Sequence, residues 1–329
     1  MDFINLFPDS LQGVTDDNFE KVSLGVFRHQ VMHNELYRKY VLSLGRDWKK
    51  VDSIHEIPFL PIEFYKYHSV KTGQWQEEKI FNSSGTTGVE RSNNYVKDLS
   101  VYHEVSTNIF KHFYGSPDGY HIFGLLPSYL EQTNSSLVSM VEYLIKRSGS
   151  EYSGFFLYDH EKLISIMEAC KESGKKMILF GVSFALLDLA GKYDIDFSNV
   201  MIIETGGMKG RGRELIRGEL HALLKKSFKQ AEIHSEYGMT ELCSQAYALS
   251  PEKYQAPPWM RVLIREVNDP FTYCNTNETG VINVIDLANF STCCFIETKD
   301  MGVLNEDLSF NILGRMDNSD LRGCSLMVE

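Results

Sequence analysis

The 329-residue sequence lacks the features of a secreted or membrane-spanning chain. Its start, MDFINLFPDS, has no basic segment followed by an apolar stretch, which a secretory leader requires. The longest apolar run, near Met177 to Gly191, is interrupted by Ser183 and Asp188 and is too short to cross a bilayer. These absences predict a cytoplasmic protein with no membrane span.

Basic charge is also scarce, with 33 Lys and Arg against 44 Asp and Glu. No nucleic-acid partner is expected, because binding its phosphates requires basic surface. An acidic protein can still bind ATP, since Mg²⁺ and a few well-placed donors neutralise the triphosphate locally. The six cysteines form no CxxC pair, so no zinc site is expected. The adjacent Cys293 and Cys294 are interpreted as reduced core thiols within a strand.

The chain does contain a regular alternation of short apolar runs and amphipathic segments. Helical spacing covers residues 16 to 46, and from Ser100 to Phe228 predicted helices alternate with predicted strands. This order is typical of an α/β fold with a mixed or parallel sheet. After about residue 250 the runs are β-like. We therefore predict an α/β region at 1–250, a smaller β-rich subdomain at 251–313, and a hinge-like motif with a mobile tail at 314–329.

The first candidate for ligand binding is a loop rich in hydroxyl donors and unhindered backbone N–H groups. It comprises Ser83, Ser84, Gly85, Thr86, Thr87 and Gly88. Such a loop can wrap a phosphate chain, although it lacks the Gly-Lys-Ser/Thr ending of a P-loop. Taken alone, the same composition is also that of a plain linker.

The second candidate is Glu236-Tyr237-Gly238-Met239-Thr240-Glu241, which follows a predicted strand at 231–234. A strand end followed by a glycine turn is where α/β proteins place ligands. Tyr237 can stack on a base, Thr240 can bond a phosphate, and Glu241 can hold Mg²⁺ through oxygen. The alternative is a tight turn whose threonine caps a helix.

The order of these motifs resembles the adenylate-forming superfamily of acyl and aryl acid ligases. Three further stretches fit that resemblance: Thr205-Gly206-Gly207-Met208, Glu297-Thr298-Lys299-Asp300-Met301-Gly302 and Gly314-Arg315-Met316-Asp317. The resemblance implies that Gly206 and Gly207 contact adenine, that Asp300 holds the ribose hydroxyls, and that Arg315 also reaches the ribose. It implies ATP and Mg²⁺ as cofactors.

Within that superfamily the chain resembles the acyl-protein synthetase (LuxE-type) family, which activates fatty acids and is similar to phenylacetate-CoA ligases. The resemblance covers nearly the whole chain and is carried by IPFLPIEFYKYHSV, FNSSGTTGVERS, GLLPSYLEQTNSSLVSMV and GRMDNSDLRGCSLMVE. It implies the N-terminal-type domain fold of these enzymes, a fatty acid substrate, and an acyl reductase or acyl carrier protein as partner.

Two departures from the family pattern concern positive charge. No lysine follows the SSGTTG loop, where Arg91 is the nearest cation. The sequence ends soon after GRMD, so we expect the C-terminal lid domain and its catalytic lysine to be missing. That lysine steadies charge while the carboxylate attacks the α-phosphorus. Arg91, Arg315 and Lys209 are the candidates to substitute for it; otherwise adenylation is slow.

Cys324, within Leu321-Arg322-Gly323-Cys324-Ser325, is the candidate acyl acceptor. The resemblance implies an acyl-cysteine near the C-terminus, and Cys324 matches that position, where Arg322 favours a thiolate. The resemblance therefore implies adenylation, attack by Cys324 and delivery of the thioester to a reductase. Two alternatives stay open: an acyl-CoA, aryl-CoA or carrier-protein ligase that does not require Cys324, and a nucleotide-binding subunit without catalysis.

Several weaker candidates have equally good structural explanations. His121 is as consistent with a hydrogen-bonded core histidine as with a site residue. Ser128, Tyr129 and Glu131 fit either an acyl pocket or a surface turn. Glu236 is retained as a candidate nucleotide contact. The abundance of Phe and Tyr fits aryl acids as well as fatty acids.

Overall fold

The computed structural model describes residues 9–83, 90–127, 134–206, 215, 217–229 and 231–316. The chain forms two compact units. One consists of Met1–Gln74 together with Pro258–Glu329, and the other of Trp75–Pro257. Within the described ranges, no helix is both long enough and apolar enough to span a membrane.

The described helices and strands alternate through the middle of the chain, as the sequence predicts. The helices are α1 Asp16–His33, α2 Glu35–Ser43, α3 Phe64–Tyr67, α4 Leu99–Tyr114, α5 Ser136–Ser148, α6 His160–Ala169, α7 Ser183–Lys192 and α8 Arg217–Ser227. The strands are β1 Leu60–Pro61, β2 Lys79–Asn82, β3 Asn93–Val96, β4 Tyr120–Leu125, β5 Gly154–Phe155, β6 Lys176–Val182, β7 Val200–Thr205, β8 Glu232–Tyr237, β9 Ala246–Ser250, β10 Lys253–Gln255, β11 Met260–Arg265, β12 Thr279–Asp286, β13 Phe295–Leu304 and β14 Phe310–Arg315.

The helical pattern at residues 16 to 46 forms two helices rather than one. Asn34, between α1 and α2, has an extended backbone with φ -107°. Its side chain accepts a hydrogen bond from the Tyr37 backbone N–H at 3.0 Å and so caps α2. Thr15 and Asn18 form a reciprocal capping box at the start of α1. Polar caps therefore set these helix boundaries.

The unit at 75–257 is built on a sheet with the strand order β10-β9-β8-β7-β6-β4-β5. Neighbours from β8 to β5 run parallel, whereas β8, β9 and β10 run antiparallel. All residues of β4 are buried, as in a strand covered on both faces. Strands β2 and β3 form a separate antiparallel hairpin. The predicted α/β class with a mixed sheet is confirmed.

The other unit combines the two ends of the chain. Strands β11 to β14 form an antiparallel sheet, and β1 pairs parallel to β13. The rings of Phe27 and Tyr37 pack on Phe295 with centroids 5.9 and 6.2 Å apart. Gln30 Nε2 donates to the Phe290 carbonyl oxygen at 3.0 Å. These contacts group residues 1–74 with the C-terminal sheet, whereas the sequence-based boundary at residue 250 separates them.

The β-like run at residues 292–297 predicts a strand that begins earlier and is shorter than the observed β13. Strand β13 covers Phe295–Leu304, so the stretch that carries Asp300 is a strand. Cys293 and Cys294 precede the strand instead of lying within it, and both are fully buried. Their interpretation as core thiols is retained, although their placement in a strand is wrong.

Candidate active site

The hairpin β2–β3 forms the stem of the Ser/Thr/Gly-rich loop. Asn82 and Asn93 are ladder partners, and Asn82 Nδ2 also donates to Asn93 Oδ1 at 2.6 Å. The Ser92 backbone N–H donates to Ser83 Oγ at 2.9 Å. Ser83 therefore closes the base of the loop. The remaining loop positions lie outside the described residues: Ser84, Gly85, Thr86, Thr87 and Gly88.

The second motif begins at the end of β8, where the parallel strands present their carboxyl ends. Tyr237 is 8% exposed and Glu241 5% exposed, whereas Thr240 is half-buried. Gly238 is exposed, yet a Cβ at this position would lie 2.3 Å from Glu236 Oε1. A side chain at 238 would therefore have to displace the buried Glu236 carboxylate.

Asn94 joins the two motifs. It lies in β3, and its Nδ2 donates to the Thr240 carbonyl oxygen at 2.8 Å. The stem of the first loop is thereby attached to the turn that carries Thr240 and Glu241. Sequence reasoning missed Asn94, because the only local signal is an Asn-Asn pair in a polar segment and the contact spans much of the chain.

A polar network holds Gly206, the first residue of the predicted adenine loop. Ser183 Oγ, at the start of α7, lies 2.6 Å from Glu204 Oε1 and 3.0 Å from the Gly206 carbonyl oxygen. Arg217 Nε lies 3.4 Å from Glu204 Oε2. Gly206 itself has φ +69°, a conformation that favours glycine. Gly207, Met208 and Lys209 are outside the described part of the chain.

Sequence reasoning also missed this network. Its one local signal is a carboxylate, Glu204, directly before a Thr-Gly-Gly turn at the end of an apolar run. The partners of Glu204 come from α7 and α8, so the network depends on packing between elements that are distant in sequence.

Glu236 has an unusual environment for a carboxylate. It lies in register with Thr205 of β7, whose hydroxyl donates a hydrogen bond to it. The pKa of Glu236 is raised to about 7, mainly because burial desolvates the charged form, and the nearby Glu204 contributes to this rise. The Thr205 bond and Arg217 oppose this shift. Near neutral pH the carboxyl group is therefore partly protonated.

In the other unit, strand register pairs the two residues implied to hold a ribose. Asp300 of β13 lies directly opposite Arg315 of β14, and Arg315 Nε is 3.4 Å from Asp300 Oδ1. The Asp300 side chain is 15% exposed and that of Arg315 71% exposed. The Asp300 backbone N–H donates to Thr298 Oγ1 at 3.1 Å. This pair presents an acceptor and a donor side by side.

The weaker candidates are placed as follows. His121 is buried, with Nδ1 2.6 Å from Ser150 Oγ and Nε2 2.5 Å from Ser173 Oγ, which is the environment of a core histidine. Arg91 is exposed beside the loop stem. The other candidates fall outside the described residues: Ser128, Tyr129, Glu131 and Cys324.

The residues near Glu241 fit a nucleotide-bound Mg²⁺. Across the described ranges, no group of three or more His, Cys, Asp and Glu is arranged as a metal cage. Mg²⁺ that arrives with a nucleotide is held through one or two carboxylates together with the phosphates. Glu241 supplies a carboxylate, and Asn94 Oδ1 and Gln245 Oε1 are buried oxygens without a described hydrogen-bond donor. Such oxygen donors suit a hard cation.

Two comparisons with known sequences agree with the family resemblance. The profile of the family described as acyl-protein synthetase, LuxE, matches residues 12–329. The long-chain-fatty-acid–luciferin-component ligase of Vibrio harveyi is 24% identical over an alignment 328 positions long, and the match covers 92% of this chain and 85% of that protein.

Solved structures share the fold at low sequence identity. A 2-hydroxyisobutyryl-CoA ligase in complex with 2-HIB-AMP and CoA superposes with a TM-score of 0.68 at 12% identity, covering 94% of this chain and 72% of that one. ATP-bound MatB from Rhodopseudomonas palustris superposes with a TM-score of 0.54 at 18% identity, covering 72% of this chain but only 47% of its own. The match thus spans about half the length of MatB. These likenesses confirm the predicted fold, and the profile match covers nearly the whole sequence. The chain belongs to the acyl-protein synthetase (LuxE) family.

Proposed function

We propose that this chain uses ATP to activate a fatty acid as an acyl-adenylate and then transfers the acyl group to a thiol, Cys324, for delivery to a reductase. Family membership supports a synthetase, and the name of the Vibrio harveyi ligase supports a long-chain fatty acid. The observation that carries the proposal is the hydrogen bond from Asn94 to the Thr240 carbonyl oxygen. It attaches the loop stem to the Tyr237–Glu241 turn. Two motifs that bind the same triphosphate must lie close together in this way.

The first step joins the acid to AMP. A carboxylate oxygen attacks the α-phosphorus, a new P–O bond forms, and pyrophosphate leaves with the electrons of the broken bond. Mg²⁺, when bound, neutralises charge on the triphosphate. Ser83 and the loop hydroxyls bind phosphate, as does Thr240, while Tyr237 packs against the base. Asp300 and Arg315 bind the ribose hydroxyls.

The second step moves the acyl group to sulfur. The thiolate attacks the acyl carbon, the C–S bond forms, and AMP leaves with the electrons of the broken C–O bond. The acceptor in this proposal is Cys324. A second candidate acceptor is coenzyme A or a carrier-protein arm, and the fold shared with a ligase solved in complex with CoA favours testing it.

The test is intact-mass measurement after incubation with Mg·ATP and a panel of carboxylic acids. We expect an ATP-dependent adduct equal in mass to one acyl group, lost in Cys324→Ser and kept in Cys274→Ser. Pyrophosphate release without an adduct would move the acceptor to coenzyme A or a carrier protein. If no acid supports exchange of labelled pyrophosphate into ATP, the adenylation step itself is contradicted.

A further inference from the structure

Two buried amide side chains flank the turn that carries Thr240 and Glu241. Asn94 is 6% exposed and Gln245 4% exposed. Asn94 Oδ1 and Gln245 Oε1 each lack a hydrogen-bond donor among the residues described. Buried acceptors of this kind are rare in folded proteins, because leaving one unpaired costs stability. Two of them at one short turn indicate that a ligand supplies the missing donors.

The orientation of each amide is fixed by its other contact. Asn94 Nδ2 lies 2.8 Å from the Thr240 carbonyl oxygen, and Gln245 Nε2 lies 3.1 Å from the Cys243 carbonyl oxygen. A carbonyl oxygen can only accept, so the amide nitrogen must face it in both cases. Flipping either amide would set two oxygens against each other. The unpaired atoms are therefore oxygens, and they need donors or a cation.

Few groups of Mg·ATP can donate a hydrogen bond to these two amide oxygens. Phosphate oxygens are acceptors and cannot satisfy an amide oxygen. The ribose hydroxyls are assigned to Asp300 and Arg315, and the base to Gly206 and Tyr237. The donors that remain are the water molecules of the magnesium ion, which keeps several of them when it binds through a carboxylate and phosphates. Neutral amide oxygens accept well from such waters.

We propose that Asn94 Oδ1 and Gln245 Oε1 accept hydrogen bonds from the water shell of the magnesium ion that enters with ATP, beside Glu241. They act as positioning residues, because they hold the metal through water while Glu241 supplies the carboxylate. The inference rests on the proposed ATP-dependent function and deepens it. It gives Asn94 and Gln245, which belong to none of the recognised sequence motifs, a role in binding the metal.

The test compares nucleotide binding with and without metal. Calorimetry measures the dissociation constant for α,β-methylene-ATP, which cannot release pyrophosphate, in Mg²⁺ and in EDTA. The dissociation constant in EDTA divided by that in Mg²⁺ gives the gain in nucleotide affinity that the metal provides. We expect Asn94→Leu and Gln245→Leu to lower this gain by about 10- to 100-fold, as does the loss of side chains that hydrogen-bond to the ligands of a metal ion. We expect Asn94→Asp and Gln245→Glu to keep or increase it, because both retain oxygens.

The acidic variants separate a metal role from a structural one. Both lose the amide N–H that bonds Thr240 or Cys243, so a purely structural role would make Asp as damaging as Leu. If the Asp and Glu variants lose as much metal-dependent affinity as the Leu variants, or if the Leu variants lose none, the inference is contradicted. Neither outcome would contradict the proposed function. Asn283→Leu is the matched control, since Asn283 is also a buried amide but belongs to the other compact unit. If the wild type binds no nucleotide in either buffer, the proposed function fails and this inference with it.

Discussion

Glu236 shows how one residue can make stability depend on pH. Its carboxyl group is buried at the end of β8, and burial raises its pKa from 4.5 to about 7. In the unfolded chain the group ionises near pH 4.5, so between that value and about 7 the folded state holds a proton that the unfolded state has lost. Stability then falls as pH rises through this window and becomes constant above it.

We expect Glu236→Gln to remove this pH dependence. The variant should gain stability relative to wild type as pH rises from 5 to 8, by on the order of 3 kcal/mol across the window. Urea unfolding at several pH values measures the slope, and Glu151→Gln, which changes an exposed carboxylate in a turn, is the control. A difference between Glu236→Gln and wild type that stays constant with pH would contradict the assignment.

A side chain at position 238 is predicted to destabilise the fold. Because a Cβ would meet the Glu236 carboxylate, Gly238→Ala should cost about 1–3 kcal/mol of unfolding free energy, as overpacking does. It should also raise the apparent KM for ATP. Gly191→Ala is the matched control, since nothing lies within 4 Å of its Cβ position and it sits in α7. Alanine there should be neutral or stabilising; equal effects at both positions would refute the steric argument.

At the scale of elements, the pair β13–β14 brings Asp300 and Arg315 together. Asp300→Asn should raise the KM for ATP by about 10- to 100-fold, since bonds to a charged acceptor are worth roughly 1.5–3 kcal/mol. Unfolding free energy should change by less than about 1 kcal/mol, because the ion pair is largely exposed at Arg315. Steady-state kinetics measures the KM for ATP in both variants. The control is Glu306→Gln, which changes an exposed residue in the same hairpin. An unchanged KM would remove Asp300 from the ribose assignment.

The periodicity of apolar residues predicts those helices and strands whose ends depend on neighbouring residues in the sequence. Apolar spacing predicts a helix over residues 100–114 and a strand over 120–126, and α4 and β4 begin and end within one residue of these limits. The break at Asn34 was missed, because a capping side chain interrupts an otherwise continuous apolar spacing. The network of Ser183, Glu204 and Arg217 could not be predicted either. Its members meet only after β6, β7 and β8 pair in register, and register depends on contacts far apart in sequence.

Helix α1 connects the start of the chain to the C-terminal sheet through buried hydrogen bonds. Gln30 Nε2 donates to the Phe290 carbonyl oxygen, and the Cys294 backbone N–H donates to Gln30 Oε1 at 2.9 Å. Gln30→Leu would remove both of these hydrogen bonds from a largely buried contact, at a cost of roughly 2–5 kcal/mol. Hydrogen exchange should then accelerate in both α1 and β13. Met32→Leu, exposed on the same helix, should change neither, and unaltered exchange in Gln30→Leu would contradict this role.

The discontinuous unit also affects how the protein is made on the ribosome. The aromatic surface of residues 1–74 emerges first, but its partner strand β13 follows only after all of Trp75–Pro257 has been synthesised. At about 5–20 residues per second that delay lasts roughly ten to forty seconds. During this time Phe27 and Tyr37 have no Phe295 to pack against. We therefore expect the nascent N-terminal segment to expose these apolar rings until the sheet has been synthesised.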